Sequence, residues 1–543
     1  MLPGLKRATL LAAALCTFES GCSHGPRNNA PANTVRFALA ADPTTLNPLF
    51  LTPDAASVDQ QVARLLFEPF VDLDARGRLV PVLLKEIPTR ANGGLSADGR
   101  TIIYHLRPGV RWSDGVPLSS ADVLFTLHAI LDPRNPVRTR EGYTLIDRAS
   151  APNRLTVVLH LRHAWAPAVA TFFSYGIEPF AVVPKHILAR VPTLRTARFN
   201  GDPGVVDGPY RFVSWRRGDR ITFAANPEYW RGEPKLKRIV ARIVADPGTN
   251  LTLLRTGELD WNLIAPAQQA TVRDTNFIRI ERVPTSVIAG IAMNTSHAPL
   301  RDVLVRRALA ASIDRRAISQ KIALGVYPVA DTLQPAYSWA RDRQIHEPAY
   351  DPARADGLLD EAGWRRGPGG VRYKHGKPLR ILFVQFPEST TGVRVATFVQ
   401  QALRARGIEV TLKSVSNAQL FLPRTGTLAR GEFDMAYIPW TMGLDPDDSS
   451  ILRCGAPANY MRWCDPEVDR LEAEALAATS QNARKPLYAA IEGRVAAAVP
   501  LLVLFDASYL YAYNARLVDF APNPVLPTAT AWAWRLRSAA SRR

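Results

Sequence analysis

The segment from residue 379 to residue 413 constrains the fold of this chain more than any other. Residues 379–384 form an apolar run that predicts a strand, residues 393–406 predict a helix ended by Gly407, and residues 408–413 alternate as a strand does. A strand–helix–strand crossover is right-handed and lays its two strands in one parallel or mixed sheet. The segment therefore predicts an α/β fold.

Other segments add antiparallel strands and further helices. Strands are expected at residues 35–40, 71–73, 79–82, 155–161 and 501–505, and the second and third of these flank a hairpin turn. Helix starts are predicted at Ser119, Asp314 and Asp465, because Ser and Asp side chains accept hydrogen bonds from the first backbone N–H groups of a helix. The helix after Asp314 is expected to run through Leu324 and to stop at Gly325.

Length and composition limit the class of protein. A chain of 543 residues is too long for one core and predicts two to four domains. With 47% hydrophobic and 21% charged residues, it is neither a disordered chain nor a coiled coil. It also contains no uninterrupted apolar run of the roughly 18 residues that a membrane-spanning helix needs.

The net charge of +18 comes from 67 Lys and Arg against 49 Asp and Glu, and most of the basic residues are Arg. Their scatter along the chain, without a basic run or aromatic interleaving, argues against nucleic-acid binding. Two interpretations remain: solvated arginines on many surfaces, or a field that favours anionic headgroups or acidic ligands.

The amino-terminal residues indicate export. Lys6 and Arg7 precede the apolar stretch 8–18 and small polar residues, the pattern of a signal peptide, here residues 1–21. The sequence around Gly21-Cys22 resembles the lipobox of bacterial lipoproteins, which implies acylation of Cys22; a plain cleaved signal is the alternative. Residues 22–34 are rich in Gly, Pro, Asn and Ser and predict a tether. The expected location is extracytoplasmic.

Two cysteines remain in the folded part, Cys454 and Cys464. An even pair at close spacing in an exported chain favours a disulfide over a metal site, since no His lies near either in the sequence. We expect neither a metal nor a cofactor.

Motifs for catalysis are missing from the sequence. It contains no phosphate-binding loop, no Gly-x-Ser-x-Gly elbow and no His-Glu-x-x-His motif. The acidic cluster Asp445, Asp447 and Asp448 has two interpretations: an Asp-Pro turn whose carboxylates cap local amides, or a loop that binds a cationic ligand group.

Four blocks of sequence resemble one family, the oligopeptide/dipeptide-binding proteins of peptide ABC importers, which form family 5 of the extracytoplasmic solute-binding proteins. They occur in the family's order and cover nearly the whole mature chain. The blocks are DGPYRFVSW at 207–215 with NPEYWRGEPKL at 226–236; FEPFV at 67–71 with LRPGVRWSDG at 106–115; PLRDV at 299–303 with SIDR at 312–315; and CDPEVD at 464–469.

The resemblance implies a type II periplasmic-binding-protein fold with two lobes, a hinge and an additional small β-rich domain. A discontinuous domain I takes residues 35–67, 180–288 and 501–535. Domain II takes 68–179 and domain III takes 289–500. The hinge needs chain crossings near residues 288 and 500.

The resemblance also implies ligand-binding residues. In peptide-binding relatives a Trp is followed three residues later by an Asp that pairs with the peptide's α-amine; here the Trp is Trp440, and the third residue after it is Gly443. Asp445 and Asp447 on the same loop are candidate replacements. Thr52 and Asp54 occupy a loop that lines the cleft in relatives.

The implied function is capture of a peptide-like solute by hinge closure and delivery to an ABC permease with its ATPase, by a monomer without enzymatic activity. A receptor or chaperone for peptide segments that uses the same cleft is the alternative. An exported hydrolase would need a nucleophile with an adjacent base, for which no local motif exists.

Overall fold

The computed structural model describes residues 33–52 and 58–537. The predicted signal peptide, nearly all of the predicted tether, Cys22 and Asp54 lie outside these ranges. No helix in the described ranges has the length and apolar character needed to cross a membrane.

Strands alternate with helices along the described chain. The strands are β1 (Thr34–Leu39), β2 (Val71–Leu73), β3 (Leu79–Pro81), β4 (Thr101–His105), β5 (Ile146–Asn153), β6 (Thr156–Leu161), β7 (Tyr210–Arg216), β8 (Arg220–Ala225), β9 (Arg238–Ile243), β10 (Trp261–Ile264), β11 (Ile278–Met293), β12 (Arg365–Arg366), β13 (Arg372–Lys374), β14 (Lys377–Pro378), β15 (Arg380–Gln385), β16 (Glu409–Ser414), β17 (Met435–Thr441), β18 (Leu501–Asn514), β19 (Leu517–Val518) and β20 (Arg535–Leu536).

The α-helices are α1 (Val58–Leu66), α2 (Ser120–Leu131), α3 (Ala168–Thr171), α4 (Lys185–Leu188), α5 (Pro247–Arg255), α6 (Gln269–Arg273), α7 (Ala298–Arg301), α8 (Val303–Ala311), α9 (Arg315–Ala317), α10 (Pro352–Glu361), α11 (Thr390–Arg404), α12 (Asn417–Leu420), α13 (Thr427–Arg430), α14 (Ser449–Leu452), α15 (Pro466–Ala477) and α16 (Gln481–Ala498). The predicted caps lie in place: Ser119 and Asp122 form a capping box for α2, and the Asp465 side chain accepts from the Glu467 N–H at the start of α15.

One ten-stranded mixed sheet runs through the molecule in the order β16-β15-β17-β11-β18-β10-β1-β9-β8-β7. The predicted crossover is confirmed, since β15 and β16 pair in parallel and α11 connects them. We call the part with β1 and β7–β10 the first lobe, and the part with β15–β17 the second lobe.

The two long strands β11 and β18 belong to both lobes. Residues 278–284 of β11 pair with the part of β18 beyond Ser508, and residues 288–292 pair with its beginning. Between these stretches the register shifts at Pro284–Ile288, where the Thr285 hydroxyl donates to the Ala507 carbonyl at 2.9 Å. The chain therefore passes between the two lobes inside two adjacent strands, at Pro284–Ile288 of β11 and at Asp506–Ser508 of β18.

The hydrophobic residues form two large cores. One cluster joins the sheet of the first lobe to the small β4–β6 sheet and the β2–β3 hairpin. The other fills the second lobe and includes Leu501–Phe505 of β18. The first lobe therefore includes the β4–β6 sheet and the β2–β3 hairpin, while the expected division into domains I, II and III remains a prediction.

Two predicted elements differ from the structure. The helix after Asp314 is α only over Arg315–Ala317 and continues as one π-helical turn over Ile318–Ile322, where the Ala323 N–H donates to the Ile318 carbonyl. The strand expected at 501–505 continues to Asn514, because the residues from Ser508 to Asn514 also pair with β11 beyond the bulge.

Candidate functional site

The loop after β17 faces the small domain across the gap between the lobes. Its first residue, Met442, donates its N–H to the Ser286 carbonyl in the bulge of β11 at 2.8 Å. Gly443 then passes the Ile177 side chain, which lies 3.7 Å from the position that a Cβ would take. The loop therefore starts at the bulge of β11 and touches the opposite lobe within two residues.

A cavity of about 70 Å³ lies at this contact, and we call it the interlobe cavity. Its lining from the first lobe is Glu141, Trp165, Pro167, Ala170, Thr171, Tyr175, Ile177 and Glu178, and its lining from the second lobe is Gly443, Leu444, Asp445, Asp447 and Ser450.

Direct contacts hold the two lobes together around this cavity. The Ala166 N–H donates to the Leu476 carbonyl at 2.7 Å, and Arg90 Nη1 donates to Thr479 Oγ1 at 3.3 Å. Gly77, in the β2–β3 turn, packs so closely on Tyr337 that a Cβ there would lie 2.3 Å from the Tyr337 Cβ. The structure thus describes a closed arrangement of the lobes.

Asp445 is held by a buried arginine. Arg484 Nη1 donates to Asp445 Oδ2 at 2.7 Å, and Nη2 donates to Oδ1 at 2.5 Å and to the Tyr488 hydroxyl at 2.8 Å. The Arg484 guanidinium also lies 5.4 Å from the ring centre of Trp339. The negative charge that the sequence offers at Asp445 is therefore already matched inside the protein.

The remaining aspartates of the cluster make local turns. Asp447 donates its N–H to Asp445 Oδ1 at 3.1 Å, and its own Oδ1 accepts from the Ser449 N–H at 3.0 Å. Asp448 is fully buried and accepts from Gln334 Nε2 at 3.2 Å. Burial raises the pKa of both the Asp447 and Asp448 carboxyls. The cluster therefore makes the hydrogen bonds to backbone amides that a turn requires. Asp447 also lines the interlobe cavity.

Trp440 and Thr52 have partners of other kinds. Trp440 is 5% exposed in the core of the second lobe, with its ring over Gly290 of β11 and its indole N–H without a hydrogen-bond acceptor. The Thr52 hydroxyl donates to Asp59 Oδ2 at 3.0 Å. Neither residue is among the described lining of the interlobe cavity, and their role in ligand binding stays a prediction.

Glu178 and Glu141 are site residues that the sequence analysis missed. Glu178 is 8% exposed, its Oε2 has no hydrogen-bond partner, and burial raises its pKa to about 8. Partial burial and the charge of Asp447 raise the pKa of Glu141, which stays exposed at the rim. Of these two residues, the sequence marks only Glu178, because it is the one charged residue in the apolar stretch 164–184.

The structure joins Cys454 and Cys464 in the expected disulfide, with their Cα atoms 4.6 Å apart. The bridge closes the loop between α14 and α15, and the Cys454 N–H donates to Asp469 Oδ1 at 2.8 Å. It thereby fixes the segment that follows the aspartate cluster.

The chain is similar to one family of known proteins over most of its length. The family model described as "Bacterial extracellular solute-binding proteins, family 5 Middle" matches residues 78–461. Protein XP55 of Streptomyces lividans is 31% identical over 414 residues, 74% of this chain and 70% of the relative. The oligopeptide-binding protein AppA of Bacillus subtilis is 24% identical, and the match covers 94% of each chain.

Solved structures share the fold. NikZ from Campylobacter jejuni, in complex with Ni(L-His), superposes with a TM-score of 0.77 at 23% identity, over 93% of this chain and all of that one. The expected two-lobed α/β fold is therefore confirmed.

Proposed function

The chain belongs to the bacterial extracellular solute-binding proteins of family 5, and from that membership we propose that it captures a peptide-like solute between its lobes and delivers it to an ABC permease. Proteins of this family bind solutes outside the cytoplasm for ABC importers. We infer that this chain makes and breaks no covalent bond in its cargo.

The observation that carries the proposal is the enclosed contact between the lobes. A solute bound there touches both lobes at once, so its binding energy favours the closed arrangement over an open one. The bulge at Pro284–Ile288 and its partner stretch Asp506–Ser508 interrupt the regular pairing of β11 and β18. We assign the hinge to this interruption, because bulges bend the strands that contain them.

The names of relatives support more than one cargo. AppA of Bacillus subtilis is an oligopeptide-binding protein, and the NikZ structure contains a nickel–histidine complex. We favour a peptide-like cargo for this chain, in line with the oligopeptide-binding relative whose match covers 94% of each chain.

The cargo can be identified directly. The protein is purified without denaturation from cells grown in rich medium, then unfolded, and the released small molecules are measured by mass spectrometry. We expect one or more short peptides in close to stoichiometric amount. A preparation that binds only long unfolded segments, or that releases no solute and binds no peptide from a library, contradicts the proposal.

We further propose that Cys22 carries lipid, and that the protein acts as a monomer anchored at the membrane surface. The basis is the signal-like sequence ending at Gly21-Cys22. Intact mass of membrane-extracted protein tests the anchor: a chain that starts at Cys22 with added acyl mass is expected. A mature chain that starts elsewhere without acyl mass overturns it.

A further inference from the structure

The described lining of the interlobe cavity contains acidic side chains and no basic side chain. Four of its described lining residues are carboxylic acids: Glu141, Glu178, Asp445 and Asp447. None of the described lining residues is Lys, Arg or His. The Arg484 guanidinium, which is not part of the described lining, is bound to Asp445. The carboxyls of Glu141, Glu178 and Asp447 thus line the cavity without an ion-pair partner among its described lining.

Glu178 is the strongest indication of a missing partner. A buried polar atom normally has a hydrogen-bond partner, and leaving one without it is unfavourable. Glu178 is more than nine-tenths buried, it lines the cavity, and its Oε2 has no partner. Glu178 therefore places in the cavity wall a buried carboxyl group whose Oε2 has no hydrogen-bond partner, while a hydrogen bond from the Thr139 side chain to this carboxyl partly opposes the rise of its pKa.

The segment that carries Glu178 is fixed before any ligand arrives. Gly176 donates its N–H to Gln60 Oε1 at 3.0 Å, and Gln60 Nε2 donates back to the Gly176 carbonyl at 2.9 Å. Ser174 and Pro179 also form a parallel bridge. A binding group on such a braced segment loses little conformational entropy when a ligand binds.

The cavity limits the size of the occupant. A cavity needs a volume of about 10–15 Å³ to hold one water molecule. The volume of about 70 Å³ of the interlobe cavity therefore admits a chemical group of a few heavy atoms, but not a whole peptide. The indole of Trp165 forms one wall and packs against Phe172, with ring centres 5.6 Å apart. Aromatic faces attract cations, which adds to the preference of the carboxyls.

We propose that Glu178, together with Glu141 and Asp447, binds a primary ammonium group of the solute, and that the group enters in exchange for a proton. The proposal rests on the proposed function and deepens it. Two of these three carboxyls, those of Glu141 and Glu178, come from the first lobe, and the third, that of Asp447, comes from the loop after β17.

The charge of the cavity is conserved when an ammonium group replaces the Glu178 proton. In the empty cavity Glu178 is largely protonated at pH 7, because burial raises its pKa to about 8. An incoming ammonium stabilises the carboxylate form, so the Glu178 proton leaves to the buffer and the charge of the cavity stays constant. The other titratable groups around it include Glu141, Asp447, the Asp445–Arg484 pair, Tyr143 and Tyr175. We expect binding near pH 7 to release up to one proton.

Calorimetric titration tests the proposal with trialanine and N-acetyl-trialanine as probes. Each is titrated at pH 7 in phosphate and in Tris, since the difference in heat between these buffers reports the protons released. Trialanine is expected to bind at least about tenfold more tightly than its acetylated form and to release protons. Glu178→Gln is expected to lose both differences, whereas the matched control Glu361→Gln, on the exposed end of α10, keeps them.

The outcomes separate the two proposals. If both probes bind equally to the native protein, or if Glu178→Gln keeps the preference and the proton release, the ammonium site is refuted and peptide capture stands. If neither tripeptide binds, the Tm of the native protein and of Glu178→Gln is measured with and without propylammonium chloride. A rise in the Tm of the native protein that is missing in Glu178→Gln supports the ammonium site. An equal rise in both, or none, overturns it.

Discussion

Arg484 and Asp445 form a two-pronged ion pair between α16 and the loop after β17, and both side chains are nearly buried. The pair removes Asp445 from the groups available to a ligand and fixes the loop on which Gly443 and Asp447 lie. A carboxylate that pairs with a ligand cation must therefore come from another residue of the interlobe cavity.

Breaking this pair is expected to destabilise the second lobe. Asp445→Asn leaves the Arg484 guanidinium buried without its charge partner, which costs about 3 kcal/mol or more of unfolding free energy. Urea denaturation of both proteins measures the difference. The control is Glu467→Gln, whose partner Arg470 is about half exposed, and we expect it to cost less than about 1 kcal/mol. Equal losses in the two variants contradict the prediction.

Stability should decrease as the solution becomes alkaline. Burial raises the pKa of Glu347 and of Glu492 to about 8 each, whereas an unfolded Glu titrates near about 4.3. The folded protein holds these protons more tightly, so their contribution is complete below the unfolded pKa and is lost as pH rises through about 8. Tm is expected to fall between about pH 6 and about pH 9. Glu492→Gln should flatten this fall and Glu361→Gln should not; a level or rising Tm in the native protein is the contrary result.

Gly77 is expected to govern how closely the lobes approach. A methyl group at Gly77 meets the Tyr337 Cβ at 2.3 Å, and the turn has φ +74°. Gly77→Ala should therefore hold the lobes apart, raise the radius of gyration measured by X-ray scattering and weaken solute binding. Gly93→Ala is the matched control, because Gly93 has the same φ of +74° and nothing within 4 Å. Both variants carry the same backbone strain, so a similar radius and affinity in the two would argue against the contact.

The Cys454–Cys464 bridge is expected to stabilise the protein by about 2–3 kcal/mol, since it closes a short loop in the unfolded chain. The double variant Cys454→Ser/Cys464→Ser should lower the unfolding free energy by that amount. Labelling of unfolded, unreduced protein gives the independent check, and two reactive thiols there would show that the bridge is absent.

Local sequence signals predicted the elements that depend on local physics. The crossover β15–α11–β16 and the caps at Ser119 and Asp465 follow from periodicity and from side chains that bond nearby amides. Of the two long strands, β18 was predicted only over residues 501–505 and β11 was not predicted, because Pro284 and the bulge break the alternation that marks a strand. Their length is set by pairing with each other rather than by their own residues.

The candidate site was less accessible from the sequence. Asp445 was visible as part of an acidic cluster, but its partner Arg484 lies on a distant helix and nothing in the sequence links them. Glu178 stood out as a single charge in an apolar stretch, yet only the fold shows that it faces a cavity beside Asp447. Groups that meet across two lobes leave no common pattern in one sequence.

The shared strand β18 also determines the order in which the lobes can be completed. In the first lobe β10 lies between β1 and β18, so the sheet there has a gap until the residues after Ser508 have arrived. The second lobe is built from one continuous stretch, residues 287–506, and needs nothing that follows it. A chain that emerges amino-terminus first can therefore finish the second lobe while the first lobe still waits for its last central strand. The lobe that begins the sequence is the one that matures last.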